Sequence, residues 1–163
     1  MRLEAIVASV QAYAPHHVTV TGGEPLAQPT CRELLSVLCN AGYQVSLETS
    51  GALDVSKVDP RVVLVMDLKT PGSGEARRNR LENLRCLRPQ DQVKFVICDR
   101  ADYEWSKAQL LTFELPERCE VLYSASYGQL AAAQLADWIL ADRLPVRLQV
   151  QLHKYLWGDV RGR

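Results

Sequence analysis

The spacing of hydrophobic residues in this chain alternates between a helical period and a strand period. In residues 2–13, apolar side chains recur at intervals of three and four, which predicts an amphipathic helix that ends before Pro15. Residues 17–21 then alternate valine with polar residues, which is typical of a strand.

The same alternation continues along the rest of the chain. Further helices are predicted at residues 29–40, 76–87, 101–112 and 128–141. Further strands are predicted at residues 43–48, 62–67, 92–98, 119–123 and 146–151, and an aromatic tail follows the last one. The run at 62–67 is almost wholly apolar, as in a strand covered on both faces.

Strands that alternate with helices at this spacing predict parallel pairing through right-handed crossovers, and therefore an α/β fold. The pattern leaves open whether the sheet is flat or curved into a partial barrel. In both cases ligands bind at the carboxyl ends of the strands. A length of 163 residues, 47% of them hydrophobic, predicts a single domain spanning 1–163.

The charge of the chain gives no support for two classes of binding partner, nucleic acids and membranes. Its formal net charge is zero, which gives no electrostatic reason to expect nucleic acid or a membrane surface. The longest stretch without a charge, residues 121–136, contains serine, glutamine and glycine and is too polar to span a bilayer. No signal-sequence pattern is found, so a cytoplasmic location is expected.

The five cysteines are scattered at positions 31, 39, 86, 98 and 119. They form no closely spaced pair of the kind that builds zinc ribbons or redox dithiols, and their odd number argues against a disulfide framework. We interpret them as small buried hydrophobic residues and assign no metal to any of them.

Polar residues are concentrated where the predicted strands end. The segments that leave the strands read TGGEP at 21–25, ETSG at 48–51, DLKTPGSGE at 67–75, CDR at 98–100 and YSASYG at 123–128. They are rich in carboxylates, hydroxyls and glycines. Together they predict a polar, glycine-lined binding site, although each one alone could be an ordinary turn.

The stretch VTVTGGEPLAQPT, residues 18–30, contains the most unusual of these segments. Gly22 and Gly23 permit backbone conformations closed to other residues and let a ligand approach the main chain. Glu24 adds a carboxylate at the strand end. This combination suits a cationic group such as an amino acid ammonium, and not a phosphate, which would favour a lysine and a helix directly behind the glycines.

These residues carry a family resemblance. TVTGGEPL, ETSG and DLK resemble the cofactor-binding architecture of radical S-adenosylmethionine enzymes. MDLKTPGSGE, QVKFVICDRADY and, most specifically, LQVQLHKYLWGD are similar to the 7-carboxy-7-deazaguanine synthases, over essentially the whole chain. The resemblance implies a partial (β/α)6 radical SAM barrel, a parallel sheet from which the first strand is missing.

The resemblance also implies the site residues. Thr21 and the carboxylate of Arg163 would bind the substrate. Glu24 would lie close to the amino group of the cofactor. The implied cofactor-binding residues are Gly23, Glu24, Glu48, Ser50, Asp67, Lys69, Ser124, Ser126 and Tyr127. Alternatively, Glu48 and Asp67 cap loops or pair with Lys69. We interpret His153, in the aromatic tail, as structural.

The family's reaction is the conversion of 6-carboxy-5,6,7,8-tetrahydropterin to 7-carboxy-7-deazaguanine with loss of ammonia, within queuosine biosynthesis, a tRNA modification pathway. The resemblance implies a lyase that uses S-adenosylmethionine, a 4Fe–4S cluster and Mg²⁺. It also implies an external reductant such as flavodoxin, a homodimer, and no direct nucleic acid or membrane partner.

One requirement of the family is missing from the sequence. Three closely spaced thiolates must hold the cluster, and the five scattered cysteines cannot provide them. The chain therefore resembles the family without its first strand and cluster loop, with residues 17–21 at an unpaired sheet edge. We expect it to be catalytically incomplete alone. The alternative is a non-catalytic remnant that at most binds S-adenosylmethionine or pterin; a generic radical activating enzyme is disfavoured by the tail.

Overall fold

The computed structural model describes residues 2–158, and its centre is one six-stranded sheet. The strands are β1 (His17–Val20), β2 (Gln44–Thr49), β3 (Val63–Asp67), β4 (Gln92–Ile97), β5 (Glu120–Ala125) and β6 (Arg147–Gln149). They lie in the order of the sequence, and each neighbouring pair is parallel. The predicted α/β class with a parallel sheet is confirmed.

The connections between strands contain most of the helices. These are α1 (Leu3–Ala12), α2 (Cys31–Asn40), α3 (Arg100–Thr112), α4 (Leu115–Arg118), α5 (Ala132–Asp142) and α6 (Leu152–Trp157). Short 3-10 turns occur at Pro25–Ala27, Pro71–Ser73, Ala76–Arg78 and Leu81–Cys86. Within residues 2–158, no helix has the length and apolar character needed to cross a membrane.

The two faces of the sheet differ in burial because successive side chains of a strand point to opposite sides. On β4, Val93, Phe95 and Ile97 are buried, whereas Gln92, Lys94 and Val96, which alternate with them, are partly exposed. The buried face packs against one continuous core. Its helical members include Leu35 and Leu38 of α2, Tyr103 and Leu110 of α3, and Leu135 and Ile139 of α5. Ligands are therefore expected on the other face.

The prediction of a helix at residues 76–87 is wrong. This segment forms two separate 3-10 turns, Ala76–Arg78 and Leu81–Cys86. Asn79 and Asn83 explain the difference, because their side chains bond to the backbone of the neighbouring loops at Lys69 and Gly51. Such side-chain bonds hold the backbone in a conformation set by tertiary contacts and not by a helical period.

Other boundaries also differ from the prediction, and two of the differences bear on the site. The last long helix, α5, begins at Ala132 and not at residue 128, because the backbone N–H groups of Gln129 and Leu130 bond to the carbonyl of Ser126 in a turn. Strand β5 ends at Ala125 and not at residue 123. Ser124 is therefore a strand residue and not a loop residue.

Among the described residues the sheet is open, with β1 and β6 at its edges. Strand β1 pairs with β2 alone, in the register His17 with Gln44 to Val20 with Leu47. The predicted unpaired edge at residues 17–21 is thus present in this part of the chain, and the carboxyl ends of all six strands meet along one rim.

Candidate functional site

Residues in and just after the parallel strands enclose a small pocket of about 100 Å³ near the carboxyl edge of the sheet. Its lining consists of Thr21, Gly23, Glu48, Thr49, Ser50, Val65, Asp67, Lys69 and Lys94. Six of the residues singled out from the sequence are therefore brought together here. Parallel strands place their exits side by side, which accounts for this convergence.

Glu24 does not line this pocket but braces its wall. Its carboxylate accepts hydrogen bonds from the backbone N–H of Leu26 at 3.1 Å, the backbone N–H of Ser50 at 2.9 Å, and the Thr49 hydroxyl at 2.9 Å from each oxygen. The Ser50 hydroxyl donates a further bond to Oε2. Glu24 thus links two rim loops, and its closeness to a ligand ammonium stays a prediction.

The glycine pair leaves the main chain accessible at the pocket. Gly22 has φ +104° and Gly23 has φ +57°, a region that favours glycine. A Cβ built on either residue would meet no atom of residues 2–158 within 4 Å. The space beside the backbone is therefore open to a ligand.

Charged side chains of both signs occupy the centre of the pocket. Asp67 Oδ2 lies 2.7 Å from Lys69 Nζ and 4.0 Å from Lys94 Nζ. The other oxygen, Oδ1, is buried and has no hydrogen-bond partner among the described residues. Glu48 instead accepts a bond from the Thr21 hydroxyl at 3.3 Å. The alternative that Asp67 pairs with Lys69 is therefore observed, and the other carboxylate oxygen is buried without a partner within residues 2–158.

Two buried side chains that the sequence did not indicate hold the rim loops in place. Asn83 is 1% exposed and donates to the carbonyls of Gly51 at 2.9 Å and Leu53 at 2.8 Å. Asp102, also 1% exposed, accepts bonds from Gly72 N at 2.7 Å and the Thr70 hydroxyl at 2.9 Å. Both belong to segments with a helical pattern, where a polar residue predicts a surface position, so no sequence signal could have found them.

A second cavity of about 310 Å³ adjoins the pocket and shares Glu48 and Lys94 with it. The remaining lining residues are Val96, Ser124, Gln149, Val150, Gln151, Leu152 and His153. Ser124 is 2% exposed, and its hydroxyl has no partner among the described residues.

Several lining residues of the second cavity were missed by the sequence analysis. Lys94, Gln149 and Gln151 were not singled out, and His153 was interpreted as structural. The alternation in QVKFVI gave a usable signal for Lys94, since it places this residue opposite the buried Val93 and Phe95. For His153 no such signal existed, because its location depends on how the tail returns to the sheet.

A third cavity, of about 300 Å³, is mainly apolar and contains the half-exposed Tyr127. The remaining lining residues are Ala125, Gly128, Leu130, Ala132, Val150, Gln151 and Tyr155. The Lys154 ammonium lies 5.1 Å from the centroid of the Tyr127 ring. Ser126 lines none of the three cavities and contacts Gln129 Oε1 at 2.6 Å. Arg163 lies outside the described residues.

The described residues do not fit an iron–sulfur cluster. Nowhere in residues 2–158 do three or more histidine, cysteine or carboxylate side chains converge as a metal site. The five cysteines are free and separated. Burial raises the pKa of Cys119 to about 11 and also raises the pKa of Cys31, which disfavours the thiolate that iron requires.

The comparisons with known proteins agree on one family. The chain is 42% identical to 7-carboxy-7-deazaguanine synthase of Chlorobaculum tepidum over 166 residues, which cover 99% of this chain and 76% of that protein. It is 40% identical to the synthase of Koribacter versatilis, over 96% of this chain and 76% of that protein. No protein-family model matches the chain.

A solved structure supports the fold independently. The crystal structure of QueE from Escherichia coli matches with a TM-score of 0.74 over 93% of this chain and 64% of that chain, at 21% sequence identity. The sheet and its helices thus have the fold of that protein, consistent with a partial radical SAM barrel. On the sequence identities above, this chain belongs to the family of 7-carboxy-7-deazaguanine synthases.

Proposed function

We propose that this chain forms the ligand-binding part of a 7-carboxy-7-deazaguanine synthase, a radical SAM carbon–nitrogen lyase. Its ligands are S-adenosylmethionine and 6-carboxy-5,6,7,8-tetrahydropterin, and the product of the family reaction is 7-carboxy-7-deazaguanine, formed with loss of ammonia. The main support is the junction of two polar cavities at Glu48, near the carboxyl end of β2, and Lys94, which pairs with the last residue of β3.

The pocket lined by Gly23 contains hydrogen-bonding groups that suit the amino acid part of S-adenosylmethionine. Asp67 Oδ1 is a buried acceptor without a partner among the described residues, and an ammonium would supply the missing bond. Lys69 also lines the pocket, and its ammonium holds the other oxygen of Asp67 at 2.7 Å. The apolar cavity beside Tyr127 suits the flat adenine ring, since aromatic side chains bind such rings by stacking.

The larger polar cavity suits the pterin. Its volume of about 310 Å³ is within the range of small-molecule sites, roughly 300–1,000 Å³. The amide groups of Gln149 and Gln151 can each donate and accept, which matches the alternating donors and acceptors of a pterin edge. Thr21 and, beyond the described residues, Arg163 are further expected substrate contacts.

The cluster chemistry of the family is not assigned to these residues. In the family, the 4Fe–4S cluster reduces S-adenosylmethionine, and Mg²⁺ assists the rearrangement. The residues described here do not provide the thiolates of the cluster, because their cysteines are scattered and partly buried. We infer that the 163 residues alone bind both ligands without turning them over. The same observation favours the second candidate function, a non-catalytic binding protein.

The pathway, cellular location and reductant that we propose are those expected for the family. The proposed place is queuosine biosynthesis in the cytoplasm, with an external reductant such as flavodoxin. A homodimer is supported by the exposed apolar side chains of α6, which include Tyr155 at 84% exposure and Trp157 at 51%. Surfaces of this kind commonly mark contacts between proteins.

Equilibrium binding tests this proposal. We expect the full chain to bind S-adenosylmethionine and 6-carboxypterin in isothermal titration calorimetry. Asp67→Asn should lower the affinity for S-adenosylmethionine by roughly tenfold or more, because a hydrogen bond between the carboxylate and the ligand ammonium is lost. Glu117→Gln changes an exposed carboxylate in α4, before the amino end of β5, and should have no effect. The proposal is refuted if the unchanged protein fails to bind one or both of the two ligands.

Anaerobic reconstitution with iron and sulfide tests the catalytic part separately. We expect no stable cluster absorbance and no release of 5′-deoxyadenosine from S-adenosylmethionine in the presence of a reductant. A stable cluster together with 5′-deoxyadenosine would contradict the inference that the chain alone is catalytically incomplete, while leaving the binding proposal intact.

A further inference from the structure

Lys94 and Ser124 occupy neighbouring positions on the open face of the sheet. Lys94 is the register partner of Leu122, and Ser124 is the partner of Val96. Because alternate residues of a strand share a face, Lys94, Val96 and Ser124 point to the same side. All three line the cavity of about 310 Å³.

Lys94 carries a positive charge that the protein compensates only weakly. The one carboxylate within 4.0 Å of its ammonium, among the described residues, is Asp67, at 4.0 Å. That carboxylate is already engaged by Lys69 at 2.7 Å. The Lys94 side chain is 23% exposed, so its ammonium is partly withdrawn from water and favours an anionic partner.

Ser124 supplies a second, independent sign of a ligand. Its side chain is 2% exposed, and its hydroxyl lacks a hydrogen-bond partner among the described residues. Buried hydroxyls are rarely left without a partner in folded proteins. Since Ser124 lines the same cavity as Lys94, a ligand there would satisfy its hydroxyl.

We propose that Lys94 and Ser124 form a subsite that binds the carboxylate of a ligand. An ammonium and a hydroxyl can both donate to carboxylate oxygens, and the amides of Gln149 and Gln151 extend this polar wall. This inference rests on the proposed function, in which two ligands carry a carboxylate: the pterin at its 6-position and S-adenosylmethionine in its methionine part. The subsite is distinct from Lys69, whose ammonium is held by Asp67.

Paired ligands that differ only in the carboxylate test the subsite. The affinity of the full chain is measured for 6-carboxypterin against unsubstituted pterin, and for S-adenosylmethionine against its decarboxylated form. In one of the two pairs, Lys94→Met should weaken binding of the carboxylated ligand by roughly tenfold to a hundredfold. The affinity for the ligand without the carboxylate should stay unchanged. The pair that responds identifies the source of the carboxylate.

Two further variants complete the test. Ser124→Ala should weaken binding of the same carboxylated ligand by a smaller factor. This variant also allows the subsite to be tested if Lys94→Met does not fold. Lys57→Met is the matched control, because Lys57 is exposed in the connection that leads to the amino end of β3.

The outcomes separate the inference from the function on which it rests. If the unchanged chain binds both ligands but Lys94→Met and Ser124→Ala leave both preferences intact, or weaken both members of each pair equally, the subsite is refuted alone. If the unchanged chain binds neither ligand, the proposed function is refuted and the subsite with it.

Discussion

Glu24 and Ser50 are joined by two hydrogen bonds across 26 positions of the sequence. Glu24 Oε2 accepts one from the Ser50 backbone N–H at 2.9 Å and another from the Ser50 hydroxyl. The loop after β1 and the loop after β2 are therefore one structural unit. The carboxylate of the Gly-Gly-Glu-Pro stretch serves first to shape the site, whatever contact it makes with a ligand.

Glu24→Gln should destabilise the protein and weaken S-adenosylmethionine binding together. The amide retains one acceptor oxygen but places an NH2 group against the donors of Thr49 and Ser50. We expect a loss of about 2 kcal/mol in the free energy of unfolding, because bonds to a charged acceptor are removed. Urea unfolding and calorimetric titration measure the two effects.

Glu33→Gln provides the control for this variant. Glu33 is exposed on α2, and the same change of charge should leave both quantities nearly unaltered. Equal unfolding free energies for Glu24→Gln and the unchanged protein would show that the brace contributes nothing to stability.

Gly51→Ala should be more destabilising than Gly42→Ala. Both glycines have positive φ, +70° and +88°, so both variants carry the same kind of backbone strain. At Gly51, however, an added Cβ would lie 2.8 Å from Cγ and Sδ of the fully buried Met66, whereas at Gly42 it would meet no atom within 4 Å.

The difference between these two variants isolates the contact with Met66. We expect about 1–3 kcal/mol of additional destabilisation for Gly51→Ala, the usual cost of overpacking a core, in thermal or urea unfolding. Equal losses for the two variants would mean that Met66 moves aside without cost.

Asp102→Asn should loosen the loop that carries Lys69. Asp102 accepts bonds from Gly72 N, the Thr70 hydroxyl and, at 3.1 Å, Cys98 N. Replacing one buried carboxylate oxygen by an NH2 group leaves at least one donor unpaired, which costs about 1–3 kcal/mol. Hydrogen exchange followed by mass spectrometry should show faster exchange at residues 69–74.

The control for the loop is Asp137→Asn, which changes an exposed aspartate on α5. It should leave the exchange of residues 69–74 unchanged. An unaltered exchange rate in Asp102→Asn would refute the positioning role of the buried carboxylate.

Stability should decrease on the alkaline side between about pH 9 and pH 11. Burial raises the pKa of the Cys119 thiol from 9.0 to about 11, so the folded state keeps its proton after the unfolded state has lost it. The contribution is fully present below pH 9 and is lost as the pH rises towards 11. Cys119→Ala should make this decline shallower in urea unfolding under reducing conditions.

A decline of the same slope in Cys119→Ala would assign the alkaline sensitivity to other buried groups. Tyr103 and Tyr123 are the main candidates, because burial also raises the pKa of each phenol well above its ordinary value. The phenols of the unfolded state begin to titrate near their ordinary pKa of 10.0, so the decline between about pH 9 and pH 10 reports mainly on Cys119.

Most of the fold could be predicted from local pattern. The order of strands and helices followed from the change between a period of two and a period of about four, and the parallel pairing followed from that order. The error at residues 76–87 had a tertiary cause, since Asn79 and Asn83 bond to loops that are distant in sequence. No local period records such a bond.

The sequence predicted only part of the candidate site, because the rest of it also depends on tertiary contacts. Thr21 follows β1, and Glu48 and Asp67 stand at the carboxyl ends of β2 and β3, so the rule that parallel strands share an exit edge brings them together. Lys94 and Gln149 lie within strands, and their importance depends on which face of the sheet carries the cavity. That choice is made by the helices that pack on the opposite face.

The sequence by itself determined the class of fold, the edge of the sheet that carries polar loops and the family resemblance, because these depend on periodicity and short motifs. Tertiary structure alone decided that Glu24 braces the loop at Ser50, that one Asp67 oxygen has no partner within residues 2–158, and that Lys94 and Ser124 share a cavity. Hydrogen bonds between distant segments and the burial of single atoms arise only when the strands pair, and they are therefore set by packing and not by local sequence.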